Sequence, residues 1–160
     1  RDSVASRGLG DVYKRQILYL SSMSKILSID FGTKRCGIAV TDESQIIASG
    51  LTTVETKNLI SFLSNYFRNN DVEKLIIGEP KTLNNEQSVI EPKIIEFIEK
   101  IKNRFLHLEI VRVDERFTSK LAFRAMIDAG LKKNQRRNKQ TVDMVSATII
   151  LQDFLHFRNK

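Results

Sequence analysis

The apolar pattern of this chain changes period partway along, and that change limits the possible folds more than any other feature. Three apolar runs come first, Lys25 to Phe31, Cys36 to Thr41 and Gln45 to Val54, separated by the polar turns Gly32-Thr33-Lys34-Arg35 and Asp42-Glu43-Ser44. Short runs rich in Ile, Val and Thr between turn residues predict an antiparallel meander of three strands. From Asn58 the spacing becomes helical, with Leu59, Ile60, Leu63, Tyr66 and Phe67 on one face and Asn69-Asn70-Asp71 as the stop. Strand and helix signals then alternate.

Lys74 to Gly78 predicts a fourth strand. After the polar loop Pro80 to Ser88, a second helix is marked by Ile94, Phe97, Ile98, Ile101 and Phe105, with Pro92 suited to its first turn. Leu108 to Val113 predicts a fifth strand. Ser119 can cap a third helix whose apolar face includes Ala122, Phe123, Met126 and Ile127, and Gly130 ends it. The run Lys132 to Lys139 has five basic residues in eight and is expected to be a loop. A last helix is predicted from Thr141 to Phe157, buried on one face by Val142, Val145, Ile149 and either Leu151 or Phe154. Parallel strands reached through crossover helices extend the meander into a mixed five-stranded sheet with helices on both faces. This is an α/β, three-layer, RNase H-like layout. Ligands of open α/β sheets gather beyond the carboxyl ends of the parallel strands, where Glu79 and Glu115 are expected.

Composition narrows the function classes. With 160 residues, 41% hydrophobic and 28% charged, the chain is expected to bury one ordinary core. No apolar run approaches the roughly 18 residues of a spanning helix, so a cytoplasmic protein without membrane contact is expected. Cys36 is the one cysteine, which leaves no disulfide framework and no thiolate zinc site. A net charge of +7 favours a polyanionic partner such as RNA or DNA. Residues 1–22 read as a non-native leader, because Ser6 to Gln16 resembles translated adapter sequence and the chain starts on Arg1; Met23 is taken as the start of a domain spanning 23–160. The leader holds four of the 26 basic and two of the 19 acidic residues, so the basic character survives its removal.

Three carboxylates fall where separate elements should end or converge: Asp30 in the first strand, Glu115 just past the fifth, and Asp143 early in the last helix. A charge at the end of an apolar strand is costly unless a metal or partner neutralises it. Glu115 lies between Asp114 and Arg116, and close like charges need a cation or a shared proton to coexist. Carboxylates are hard donors suited to Mg²⁺ or Mn²⁺, and two such ions can stabilise both oxygens of a phosphoryl displacement. The set therefore suggests a metal-dependent nuclease. The alternatives are an Asp30 that caps its turn, an Asp143 that favours the helix start, and an Asp114 or Glu79 that ligates in place of Glu115 or beside it. His107 and His156 are isolated and receive no catalytic role.

Four segments together carry a more specific likeness. Lys25 to Asp42 with its Asp30-Phe31-Gly32-Thr33 core, Ile76-Ile77-Gly78-Glu79-Pro80, Asp114 to Ser119, and Asp143 to Ile150 resemble, in order and spacing, the YqgF family of RNase H-like nucleases. Its members are described as nucleases maturing the 5′ end of pre-16S rRNA, and under an older name as Holliday junction resolvases. The resemblance implies Asp30, Glu115 and Asp143 as the catalytic, metal-binding set, with Lys34, Arg35 and Arg116 near the substrate phosphate. Lys132, Lys133, Arg136 and Arg137 would track the nucleic-acid backbone beside them, or form a solvated loop. The implied partner is pre-16S rRNA ahead of junction DNA, with ribosomal particles as a further partner and the protein a monomer or homodimer. The family usually has an apolar residue where Glu79 stands. The first motif also resembles the phosphate-binding hairpin of actin-like ATPases and sugar kinases, but those duplicate the layout, which appears once here, and no Gly-x-x-x-x-Gly-Lys-Ser/Thr loop is present. A third reading is a non-catalytic nucleic-acid-binding module.

Overall fold

A computed structural model describes residues 24–80, 88–115 and 118–158. The leader 1–22, Met23, Arg116 and most of the loop from Pro80 to Ser88 lie outside these residues. The strands are β1 Lys25–Phe31, β2 Arg35–Thr41, β3 Ala48–Glu55, β4 Val72–Glu79 and β5 Glu109–Asp114. The helices are α1 Leu59–Asn69, α2 Glu91–Arg104, α3 Thr118–Asp128, the single turn α4 Lys133–Arg136, and α5 Lys139–Arg158. The sheet order is β3-β2-β1-β4-β5. β1 to β3 form the antiparallel meander, and β4 and β5 extend it in parallel through α1 and α2.

Alternation along the strands divides the core in two. Leu27, Ile29, Phe31, Cys36, Ile38, Leu75 and Ile77 point to one face, where Leu59 and Leu63 of α1 and Ile94, Phe97 and Ile101 of α2 cover them. Ile26, Ala39 and Ile76 point to the other and meet Ala147, Ile150, Leu151 and Leu155 of α5. Each fully buried Ile or Leu is worth about 1.5–3 kcal/mol relative to an exposed one, so both helix layers are anchored by packing.

Several details depart from the expected elements. β3 starts at Ala48 and not at Gln45, because the Asp42 carboxylate accepts from the amides of Ile46 and Ile47 at 2.8 Å each and holds a longer turn, with Gln45 at φ 54°. α3 starts at Thr118, which places Ser119 inside the helix and not at its cap. Ala122 and Met126 of α3 are buried, whereas Phe123 and Ile127 are about half exposed, since α3 packs chiefly against α5, with a smaller contact to the turn α4. Gly130 does end this segment, at φ 74°, with Leu131 donating back to the carbonyl of Met126 at 3.0 Å. The basic run contains the turn of helix α4. α5 is buried on more than one side, because the sheet lies beneath Ala147, Ile150 and Leu151 while α3 packs alongside. Val142 and Val145 are only half-buried.

α5 lies unusually close to the sheet. Beneath it are the small residues Ser28, Gly37 and Ala39, and the Ser28 hydroxyl donates to the carbonyl of Ala147 at 2.7 Å. A Cβ on Gly37 would stand 1.9 Å from the backbone oxygen of Asp143 and 2.9 Å from the nitrogen of Met144. Backbone cannot swing aside as a side chain can, so any larger residue must lift the helix. Gly37→Ala is expected to lower stability by about 1–3 kcal/mol, read by urea unfolding; a variant as stable as the parent would show that the contact is not built as described.

Candidate active site

Asp30 is the penultimate residue of β1 and pairs in register with Gly37 of β2. On its other side Ile29 pairs with Ile77, so the next residue of β4, Gly78, lies beside Asp30. Two neighbouring strands therefore present bare backbone next to this carboxylate, and other groups occupy the space. The α5 backbone at Asp143 covers Gly37. The Glu115 carboxylate covers Gly78, where an added Cβ would be 2.0 Å from Oε2. Asp143, Asp30 and Glu115 thus succeed one another across β2, β1 and β4, in a row about 10 Å long if strands lie roughly 4.8 Å apart.

The electrostatics follow that order. Asp30 is pushed up to about 6, first by burial and then by the negative charge of Asp143. The Ser146 hydroxyl opposes the shift; it is buried, lies near Asp30 and has no hydrogen bond of good geometry. Glu115 is pushed up to about 8, again by burial first and by Asp30 second, with smaller contributions from Glu91 and Asp114. Arg112 works in the opposite direction. Asp143 thus raises the central carboxylate, and the central carboxylate raises Glu115.

Asp143 has a partner of opposite sign. Arg35 Nε donates to its Oδ2 at 3.1 Å. Arg35, expected beside a substrate phosphate, is thus tied to a site carboxylate. Lys34 is exposed in the turn between β1 and β2. Lys132, Lys133 and Arg137 are exposed and Arg136 is half-buried, all just before α5 begins. Asp114 is exposed at the end of β5, in register with Glu79 of β4, and the main chain at Glu115 donates to the Glu79 carbonyl at 3.3 Å. Alternation along β4 turns Glu79 to the face opposite Gly78.

Residues without an assigned role in the sequence complete the site. Arg112 of β5 forms a two-pronged pair with Glu91 in the first turn of α2, at 2.8 and 3.0 Å, and donates to the Gly78 carbonyl at 3.1 Å. Glu91 is buried. The pair fastens the carboxyl ends of β4 and β5 to α2 and brings positive charge near Glu115. A lone arginine within the apolar run from Leu108 to Val113 was its only sequence signal. Gly37 and Gly78 stand inside the quoted motifs, yet one sequence cannot say that their lack of a side chain is what matters.

The donor set fits a divalent cation: three hard oxygen ligands in sequence, two of them pushed up by burial and mutual repulsion that a cation would relieve. Among the described residues no three acidic, His or Cys side chains are already gathered around one point. A linear row with Asp30 in the middle instead gives two neighbouring acid pairs, and Arg35 draws Asp143 to one side.

Comparison with known proteins gives a consistent result. The family model RuvX, described as Holliday junction resolvase, matches residues 24–157. A protein of Flavobacterium psychrophilum is 59% identical over 133 residues, 83% of this chain and 97% of that one. One from Christiangramia forsetii is 54% identical over 134 residues, 84% and 99% of the two chains. One from Bacteroides fragilis is 53% identical over 133 residues, 83% and 96%. All three bear the name "Putative pre-16S rRNA nuclease".

The raised Glu115 has a consequence for stability. Between its ordinary value of 4.5 and its folded value of about 8 the folded chain holds a proton that the unfolded chain has released. Metal-free stability therefore falls as pH rises through that window. Glu115→Gln should gain about 4 kcal/mol over the parent at pH 8 and less than about 1 kcal/mol at pH 5, measured by urea unfolding in EDTA. An equal difference at both pH values would contradict the assignment.

Proposed function

The chain belongs to the RuvX family, and from that premise we propose that it is a metal-dependent nuclease that hydrolyses phosphodiester bonds at the 5′ end of pre-16S rRNA during ribosome biogenesis in the cytoplasm. The observation that carries the chemistry is the row in which Asp30 stands between Asp143 and Glu115, which lie over the two flanking glycines. Asp30, Glu115 and Asp143 would hold Mg²⁺ or Mn²⁺. A cation held there would supply the activation of water and the stabilisation of the leaving oxygen.

The chain's own groups prepare that site. Asp30 and Glu115 share between them the cost of charge that a cation offsets, so each ligates best once its proton is gone. Arg35 holds Asp143 in place and, with the exposed Lys34, supplies positive charge for the phosphate. Arg112 and Glu91 brace the strand ends, which keeps Glu115 over Gly78. Arg116, outside the described residues, and the basic residues Lys132, Lys133, Arg136 and Arg137 complete the proposed substrate contacts. Phosphate contacts of this kind supply affinity and salt dependence without sequence information.

The names of the relatives support rRNA as the substrate. The family's description as a Holliday junction resolvase supports a second reading, four-way junction DNA, which would require a two-fold dimer to cut two strands. Among the described residues no helix is long and apolar enough to cross a membrane.

Cleavage of a pre-16S rRNA fragment and of a four-way junction with Mg²⁺, Mn²⁺ or EDTA separates these readings. The parent should cut the RNA only with metal, and Asp30→Asn should lose about 10²- to 10³-fold in rate, on the scale of lost charge stabilisation at a reacting centre. Cutting of the junction alone would move the assignment to a resolvase. Undiminished cleavage by Asp30→Asn would remove Asp30 from the site.

A further inference from the structure

Outside the carboxylate row, a pocket of about 360 Å³ opens between α3 and α4, lined by Phe123, Lys133, Arg136 and Arg137. Its volume is near the lower end for pockets that hold a small organic group. The Phe123 ring is about half exposed, an unusual state for a large aromatic side chain with a helix to pack on. The Arg136 guanidinium lies over it, 5.4 Å from the ring centre. Arg136 Nε is shielded from solvent and has no hydrogen-bond partner among the described residues. Leaving such a donor unpaired costs about 1–3 kcal/mol.

A larger pocket, of about 640 Å³, lies between the C-terminal ends of α1 and α2, and its Arg68 and Arg104 sit in the last turns of those helices. Those arginines already complement the negative helix ends. In the smaller pocket Lys133 and Arg136 belong to a helix of a single turn, whose dipole is too small to account for them. Among the described residues no carboxylate forms an ion pair with Lys133, Arg136 or Arg137.

We propose that the pocket formed by Phe123, Lys133, Arg136 and Arg137 receives one unpaired nucleotide of the substrate strand, its base against the Phe123–Arg136 stack and its phosphate on Lys133 and Arg137. Duplex backbone needs only exposed cations along a surface. An aromatic face in a concave site adds a partner for a base plane, which only an unpaired nucleotide can offer. Position supports the role, because Arg137 lies two residues before α5 and Asp143 stands about one helical turn inside it. This inference rests on the reading of the chain as a nucleic-acid enzyme. It adds that the enzyme holds a single-stranded segment beside the carboxylate row.

Binding measured in EDTA separates the two claims, since no cleavage is required. Fluorescence anisotropy with a labelled 12-nucleotide single-stranded RNA and a labelled 12-base-pair RNA duplex would compare the parent, Phe123→Leu and Arg136→Gln, each first checked for a parental melting curve. Phe123→Leu should weaken single-strand binding about 5- to 50-fold and duplex binding less than twofold. Arg136→Gln should also weaken the single strand more than the duplex. Equal losses on both probes, or no loss on the single strand by either variant, would overturn the proposal. Metal-dependent cleavage by the parent, assayed separately, would leave the nuclease reading standing in that case.

Discussion

The contact on which the rest of the site depends is the backbone of α5 resting on Gly37. At that distance no side chain fits between helix and sheet, so the helix is fixed to within the tolerance of a backbone contact. Asp143 is thereby brought beside Asp30 without a loop that could move. The Ser28 to Ala147 hydrogen bond and the packing of Ala147, Ile150 and Leu151 on Ile26, Ala39 and Ile76 hold the same helix further along. Glu115 reaches its place by a comparable route, laid over Gly78 at the end of a strand that Arg112 and Glu91 secure to α2. Two glycines in the strands that flank β1 therefore permit a concentration of acid that bulkier residues would prevent.

That concentration is unfavourable by itself. Burial and proximity push Asp30 and Glu115 upward, to about 6 and about 8, so the protein maintains a site that is less stable when fully ionised. The stability comes from elsewhere, chiefly the two apolar layers on either face of the sheet. Strain of this kind in a well-packed scaffold is a signature of a binding or reactive site. The Arg35 to Asp143 pair relieves one end of the row and Arg112 offsets part of the charge at the other, while Asp30 at the centre has no such partner among the causes that act on it.

Much of the fold could be read from the sequence because its signals were local. The period change at Asn58 marked where the meander gives way to crossover helices, and Gly130 marked a helix end by its backbone freedom. The failures came where tertiary contacts decided the outcome. The start of β3 depended on the Asp42 carboxylate reaching two amides, and the several buried sides of α5 depended on α3 lying beside it as well as on the sheet below. In the site, the three acids stood out one by one, but their order did not: only the strand order β2-β1-β4 makes Asp30 the middle member. The consecutive acids Asp114 and Glu115 were likewise equivalent in the sequence, and they differ in the fold because one ends the strand in solvent while the other turns over Gly78.

The central claim is that this row is a cation site whose ligands must shed protons to bind. Calorimetric titration of the protein with Mn²⁺ at several pH values between 5.5 and 8.5, in buffers of different ionisation enthalpy, tests it most directly. Affinity should rise across that range with net proton release, because Asp30 and Glu115 ionise within it. An affinity that stays flat with pH, or binding without proton release, would contradict the account.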